Sequence, residues 1–420
     1  MAKGLLALLL IAALASAVLY AMDPLFFKRY VTAPQALDVA AVDWRSPTAP
    51  VPGDRVPIPE GEPEGIADEA VAQAVDYAEA KDSHAFLVYR QGKLVVEHYG
   101  EGYGPESRFD SSSMHKTVLG LLLGAAIEDG SIDSLDDPVG DYLDAWSGEP
   151  RGEITLRQLA TMSSGLELTP LSLSPFGKGL RLMLGSDVRA TALSLRPEEP
   201  PGASFAYQNA SAQILGLALM EAIDQPYAEY LSERLWQPIG APDATVWLDR
   251  EGGTARTFCC LLTSARAWLR VGELILHEGR VQGEQVLPAA WIDRMTRPSE
   301  VNPNYGLLVW LNAPADGVRT YNPETDFKAR HSEPYTAPEV IFLDGAGGQR
   351  VYIIPSAEMV IVRIGEVSTD WDDARLPNLL LRGLSSSDGR GGTRWPGRGG
   401  NDRRWPRRYA VVPVSQPGAV

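Results

Sequence analysis

Ser113-Met114-His115-Lys116 places a hydroxyl and an amine three residues apart at the head of an apolar run that reads as a buried helix. At 3.6 residues per turn the two side chains share one helical face, so a serine, a poor nucleophile at neutral pH, has a base beside it. The spacing alone is weak, since a chain of 420 residues meets it by chance roughly once. Two further stretches give it meaning. Tyr207-Gln208-Asn209 follows a Pro-Gly turn and precedes a helix, and its phenol can donate or accept a proton. Asp344-Gly345-Ala346-Gly347-Gly348-Gln349 runs into the strand-like 350–354 and stops at Pro355, with glycines that allow a backbone to approach a ligand closely.

An SxxK, then a YxN, then a KTG-like strand is a shared pattern, and the chain resembles serine β-lactamases of class C type, penicillin-recognising peptidases, and the related esterases and 6-aminohexanoate-dimer hydrolases. The likeness extends through FDSSSMHKTVLGLLLGAAIEDGSIDSLDDPVGDYL, ITLRQLATMSSGLEL and YLSERLWQPIGAPDATVW, in family order, and covers about residues 66 to 384. The third motif departs from the pattern: Leu343 stands where the family has Lys or His, giving Leu343-Asp344-Gly345. That cation normally helps hold a substrate carboxylate. Its loss weakens the β-lactamase and D,D-peptidase readings and favours the esterase and amide hydrolase branch.

The resemblance implies Ser113 as the acylated nucleophile, Lys116 and Tyr207 as general base and acid, and an oxyanion hole from the backbone N–H groups of Ser113 and Ala346. It implies Asn209, Gly345 and Gly347 at the substrate, and no cofactor. Two divisions of the proton work stay open: a Tyr207 phenolate stabilised by Lys116, or a neutral Lys116 amine. Either needs a shift of about 3 pKa units from the ordinary values.

The elements that must position these residues follow from periodicity. A helix is expected at about 66 to 80, then a hairpin over 84–100 turning at Gln91-Gly92. Helices and loops predominate from Ser113 to about Asn304, and YGLLVWLN, RVYIIP and MVIVRIG supply three more strands before a last helix around 371 to 384. The fold class expected is α+β: an antiparallel sheet of about five strands backed by terminal helices, with a large, mostly helical insertion and the active site where the two meet. This is the β-lactamase/transpeptidase-like fold that the resemblance implies.

The remaining sequence bounds location and partners. Residues 5–22 carry no charge and would span about 27 Å as a helix, so residues 1–30 read as a membrane anchor or a signal segment. The expected location is the cell envelope with the catalytic domain outside, or secretion after cleavage. Residues 31–65 hold seven prolines and read as a stiff tether, while the Gly/Arg-rich 385–420 cannot build a core and read as disordered. Net charge is −16 although the last 36 residues carry seven Arg against two Asp, so the body is strongly acidic and nucleic acid is excluded as a partner. The expected partner is a small-molecule ester or amide, with the membrane met through the N-terminal segment.

The five histidines show no HExxH spacing, and no metal is expected. His115 points away from Ser113 and is expected to pack. Adjacent Cys259 and Cys260 are expected to be buried, small and unbonded. Residues 171–184 are apolar for a loop and offer a wall for the acyl pocket or a plain packing segment. Three readings of function stand: an exported ester or amide hydrolase, a penicillin-recognising enzyme, or a silent membrane-tethered binding or scaffold protein. The intact Ser113, Lys116 and Tyr207 argue against the last.

Overall fold

The computed structural model describes residues 2–33, 38–172, 174–325 and 328–384. The expected tail, 385–420, lies outside them. The longer helices and the strands of the two main sheets are numbered in chain order: α1 (Ala2–Met22), α2 (Pro24–Val31), β1 (Thr48–Val51), α3 (Asp68–Glu79), β2 (Ser83–Arg90), β3 (Lys93–Tyr99), β4 (Arg108–Asp110), α4 (His115–Glu128), α5 (Asn209–Ala222), β5 (Ala244–Trp247), β6 (Leu261–Ser264), α6 (Ala265–Leu276), β7 (Trp310–Leu311), β8 (Ile341–Gly345), β9 (Gln349–Ile354), β10 (Met359–Gly365) and α7 (Arg375–Arg382).

The main sheet is antiparallel with six strands in the order β3-β2-β10-β9-β8-β7. Strands from both ends of the domain therefore pair, as expected, through β2 and β10, where Val88 faces Ile361 and Leu87 faces Val362. The sixth strand is β8, the KTG-like element itself. β2, β9 and β10 are buried along their whole length because α6 covers one face of them and α3 with α7 the region beside β2. The hairpin turn is Gln91-Gly92, both at positive φ, the backbone that a two-residue hairpin loop requires. YGLLVWLN gives only the two-residue β7, since Leu308 and Asn312 adopt positive φ and break the extended run.

A second antiparallel sheet, β1-β5-β6-β4, was not foreseen. β1 comes from the proline-rich stretch, and this corrects the expectation of a free tether. Pro50 is tolerated because β1 is an edge strand, paired on one side only. Around it, Gly53 N–H donates to Asp243, Leu94 N–H donates to Pro59 O, and Arg45 forms a buried ion pair with Asp110 at 2.7 Å. Upstream, α2 is docked as well: Phe26 is fully buried and Arg29 donates to the carbonyls of Leu184, Asp249 and Ser46. Eleven of the 30 side chains on which the anchor expectation for residues 1–30 falls, all within 1–15, lie outside the described ones. Among the described residues no helix is long and apolar enough to cross a membrane.

Candidate active site

The chain enters the site through β4. Asp110 accepts the backbone N–H of Ser112 at 2.9 Å, and Ser111 Oγ accepts that of Leu261 at 3.0 Å, which fixes a tight turn with Ser112 at φ +48°. A short 3₁₀ turn, Ser112–Met114, then carries Ser113 onto α4. This helix is buried on all sides from His115 to Ala126, which explains its uniformly apolar sequence. Lys116 is 1% exposed.

Its amine lies 2.9 Å from each of three oxygens: Ser113 Oγ, Asn209 Oδ1 and the carbonyl of Phe258. Asn209 opens α5, and Tyr207, just before it, is held by its N–H donating to Tyr321 O and its carbonyl accepting from Asn322 Nδ2. The Tyr207 phenol lies close enough to Ser113 for the serine to oppose part of the rise in its proton affinity, and its ring centre is 4.8 Å from Lys116 Nζ. Burial dominates the proton affinities. It lowers Lys116 to about 7 against a smaller opposing pull from Asp344, and it pushes Tyr207 well above the ordinary phenol value, with Asp344 adding to the rise.

These residues open on a cavity of about 520 Å³ lined by Ser113, Tyr207, Asn209, Asp344 and Ala346, with Leu168–Leu171 on one wall and Tyr321, Asn322 and Glu324 on another. Leu171 thus belongs to the wall, as one of the two expectations for residues 171–184 had it. Gly345 and Gly347 are not among the lining residues. Gly345 instead lets β8 pass the turn at Ser111–Ser113, since a Cβ there would stand 2.8 Å from Ser111 O. Gly347, at φ +78°, makes the turn into β9, and its carbonyl accepts from Arg363.

Leu343 is fully buried, so the place of the missing cation is apolar, and the next residue presents an acid to the cavity. Asp344 accepts from Arg319 at 2.9 Å and from Tyr321 OH at 2.5 Å, and pairs with Arg350 at 2.5 Å. Sequence reasoning missed Arg319, Tyr321, Asn322 and Glu324, because 313–340 has no periodicity to anchor it. It also missed the Phe258 carbonyl, which no side-chain pattern can reveal.

His115 packs as expected. With Nδ1 2.7 Å from Cys259 O, it must donate there, leaving Nε2 to accept from Tyr227 OH at 2.9 Å; burial lowers it to about 4. Cys259 and Cys260 are buried but joined by a disulfide, which corrects the expectation of unbonded thiols. The reason lies in the backbone: Cys260 takes a left-handed φ of +74°, pinned by its N–H to Ser112 O and by Trp247 N–H to its carbonyl.

The beta-lactamase family profile matches residues 68–378. The chain belongs to this family. It is 26% identical to the 6-aminohexanoate-dimer hydrolase of Paenarthrobacter ureafaciens over 277 residues, 62% of this chain and 67% of that protein. It is also 26% identical to the D-alanyl-D-alanine-carboxypeptidase/endopeptidase AmpH of Escherichia coli K12, over 44% of this chain and about half (51%) of that protein. A family VIII carboxylesterase superposes with a TM-score of 0.58 at 16% identity, covering 76% of this chain and 99% of the other, a likeness of fold. The protein is a hydrolase of the serine β-lactamase-related superfamily.

Proposed function

We propose that the protein hydrolyses a carboxylic ester or a non-peptide amide through an acyl-enzyme on Ser113, with neutral Lys116 as the base. The observation that carries this reading is the set of oxygens around the Lys116 amine. The Phe258 carbonyl and Asn209 Oδ1 can only accept, so the two hydrogens of a neutral amine go to them. In the structure Nζ also donates to Ser113 Oγ, as a protonated amine does; once the amine is neutral, which its value of about 7 allows at neutral pH and above, its lone pair faces Oγ and takes the hydroxyl proton as Oγ attacks the carbonyl carbon. Tyr207, held as a phenol by burial, suits the proton delivery to the leaving oxygen or nitrogen, and Asn209 orients the lysine. The oxyanion is assigned to the N–H groups of Ser113 and Ala346, both at the cavity. Once Lys116 has passed the serine proton to the Tyr207 phenolate, the neutral amine would take a proton from a water that attacks the acyl carbonyl, and the acid leaves as Ser113 Oγ recovers its proton.

Buried Leu343 favours this branch over a penicillin- or peptide-recognising one, because an apolar side chain stands where a cation would hold the substrate carboxylate, and Asp344 beside it is already paired with Arg319 and Arg350. The test is intact mass and turnover of the full chain and its Ser113→Ala variant with a fluorophosphonate, a short-chain aryl ester and a penicillin. Phosphonate labelling and ester turnover, both lost in the variant, are expected without a penicillin adduct. A stable penicillin adduct at Ser113 moves the assignment to the peptidase branch, and no adduct from any reagent on folded protein removes the catalytic assignment.

The envelope location belongs to the same proposal. It rests on the uncharged 5–22 and on Leu5, Leu10 and Leu14 standing more than half exposed on α1. Sedimentation with liposomes, compared with a chain lacking residues 1–22, decides it; equal binding removes the membrane contact.

A further inference from the structure

Away from the catalytic cavity, a second hollow of about 420 Å³ opens beside the β2–β3 edge, lined by Glu79, Asp82, His84, His98, Glu101 and Glu366 among others. Four carboxylates and two imidazoles crowd one wall. His98 and Glu79 satisfy each other at 3.0 Å. His84 does not have such a partner: its side chain is 92% buried, and Nε2 makes no hydrogen bond. The ring is held by stacking on Tyr103, with centroids 4.1 Å apart, and on Phe109. An unpaired buried ring nitrogen is costly, and its persistence calls for an occupant.

Glu366 Oε1 stands 3.4 Å from Nε2 without the alignment of a hydrogen bond. That is the separation of two ligands on one metal, since tetrahedral donors about 2.0–2.2 Å from a zinc ion stand about 3.4 Å apart. Asp38 completes a triad whose donor atoms all lie within 4.8 Å of one another. It is exposed, and its Oδ1 accepts the Ala40 N–H at 2.8 Å. Burial keeps His84 below the ordinary imidazole value, against the opposing pull of Glu366, so its lone pair is available at neutral pH.

We propose that Asp38, His84 and Glu366 form a binding site for one divalent transition cation of the zinc type, with water filling the remaining position. The set suits such an ion rather than calcium or magnesium, because it pairs an imidazole with only two carboxylates. Its role is structural. The three ligands come from the N-terminal arm, β2 and the end of β10. The arm residue next to Asp38, Val39, accepts the N–H of Asp110, which in turn holds the nucleophile turn. The ion would brace the arm against the domain.

The test uses the full chain without an affinity tag, stripped with EDTA and titrated with ZnCl₂ by calorimetry, and with CoCl₂ by visible absorption. One site per chain and a rise in thermal midpoint on zinc addition are expected. His84→Ala should weaken affinity at least a hundredfold. Because that residue is buried, Asp38→Asn at an exposed position gives an independent reading and should weaken it about tenfold. His98→Gln should leave it unchanged. No saturable binding below millimolar zinc, or binding lost with His98→Gln and kept in both Asp38→Asn and His84→Ala, overturns the site.

Discussion

Replacing Lys116 by Met should remove a pH dependence of stability that reports the protonation of that amine. Folding takes the group from an ordinary 10.5 to about 7 by burial. Below pH 7 both states carry the proton, and the folded form bears the full cost of a lysine that holds it less tightly. Between pH 7 and 10.5 the unfolded chain binds one more proton than the folded, so wild-type stability rises by about 1.4 kcal/mol per pH unit; above 10.5 the cost is gone. The whole span is worth about 5 kcal/mol, and the part between pH 7 and 9 about 2 kcal/mol.

Met fills the same volume without titrating. It leaves Phe258 O and Asn209 without the amine, a loss of about 1–3 kcal/mol each that hardly varies over this range. Subtracting the two unfolding free energies at each pH therefore cancels every other titrating group and isolates this one. The assay is urea denaturation of both proteins at pH 7, 8 and 9. Wild type should gain about 2 kcal/mol on Lys116→Met over the series. A difference that stays flat means the amine is an ordinary ammonium, and the phenolate division of labour takes its place.

The same depressed lysine sets a kinetic profile: kcat/KM for an aryl ester should fall about tenfold per unit below pH 7 and level off above pH 8, and a profile that rises only above pH 9 contradicts it. Tyr207→Phe should lower kcat by about 10²–10⁴ with little change in KM, read by steady-state kinetics at pH 8; an unchanged kcat removes the phenol from the proton path. Arg45→Met strands Asp110 without its buried partner and should cost about 3–5 kcal/mol by denaturant titration. Gly345→Ala puts a methyl group 2.8 Å from Ser111 O, so ester turnover should fall sharply while the fold, followed by far-UV circular dichroism, persists; full turnover would mean that β8 and the nucleophile turn yield easily.

Much of the sheet was legible because its signals are local. The short apolar runs of β2, β9 and β10, rich in β-branched residues, and the Gln91-Gly92 turn act within a few residues, and so does the i to i+3 geometry that joins Ser113 to Lys116. By itself, then, the sequence singled out Ser113 with its neighbouring amine, the Tyr207 phenol, and the strand with Leu343 in place of a cation, the residues on which the proposed function rests. What only the tertiary structure decided is how these groups behave. The pairing of β1 with β5, the Arg45–Asp110 contact and the cavity wall at Tyr321 and Glu324 join residues far apart in the chain, and no periodicity announces them. The protonation of Lys116 is likewise not a property of its type or spacing: it depends on how completely water is excluded by α4, α5 and the Phe258 carbonyl, which exists only once the chain has closed around it.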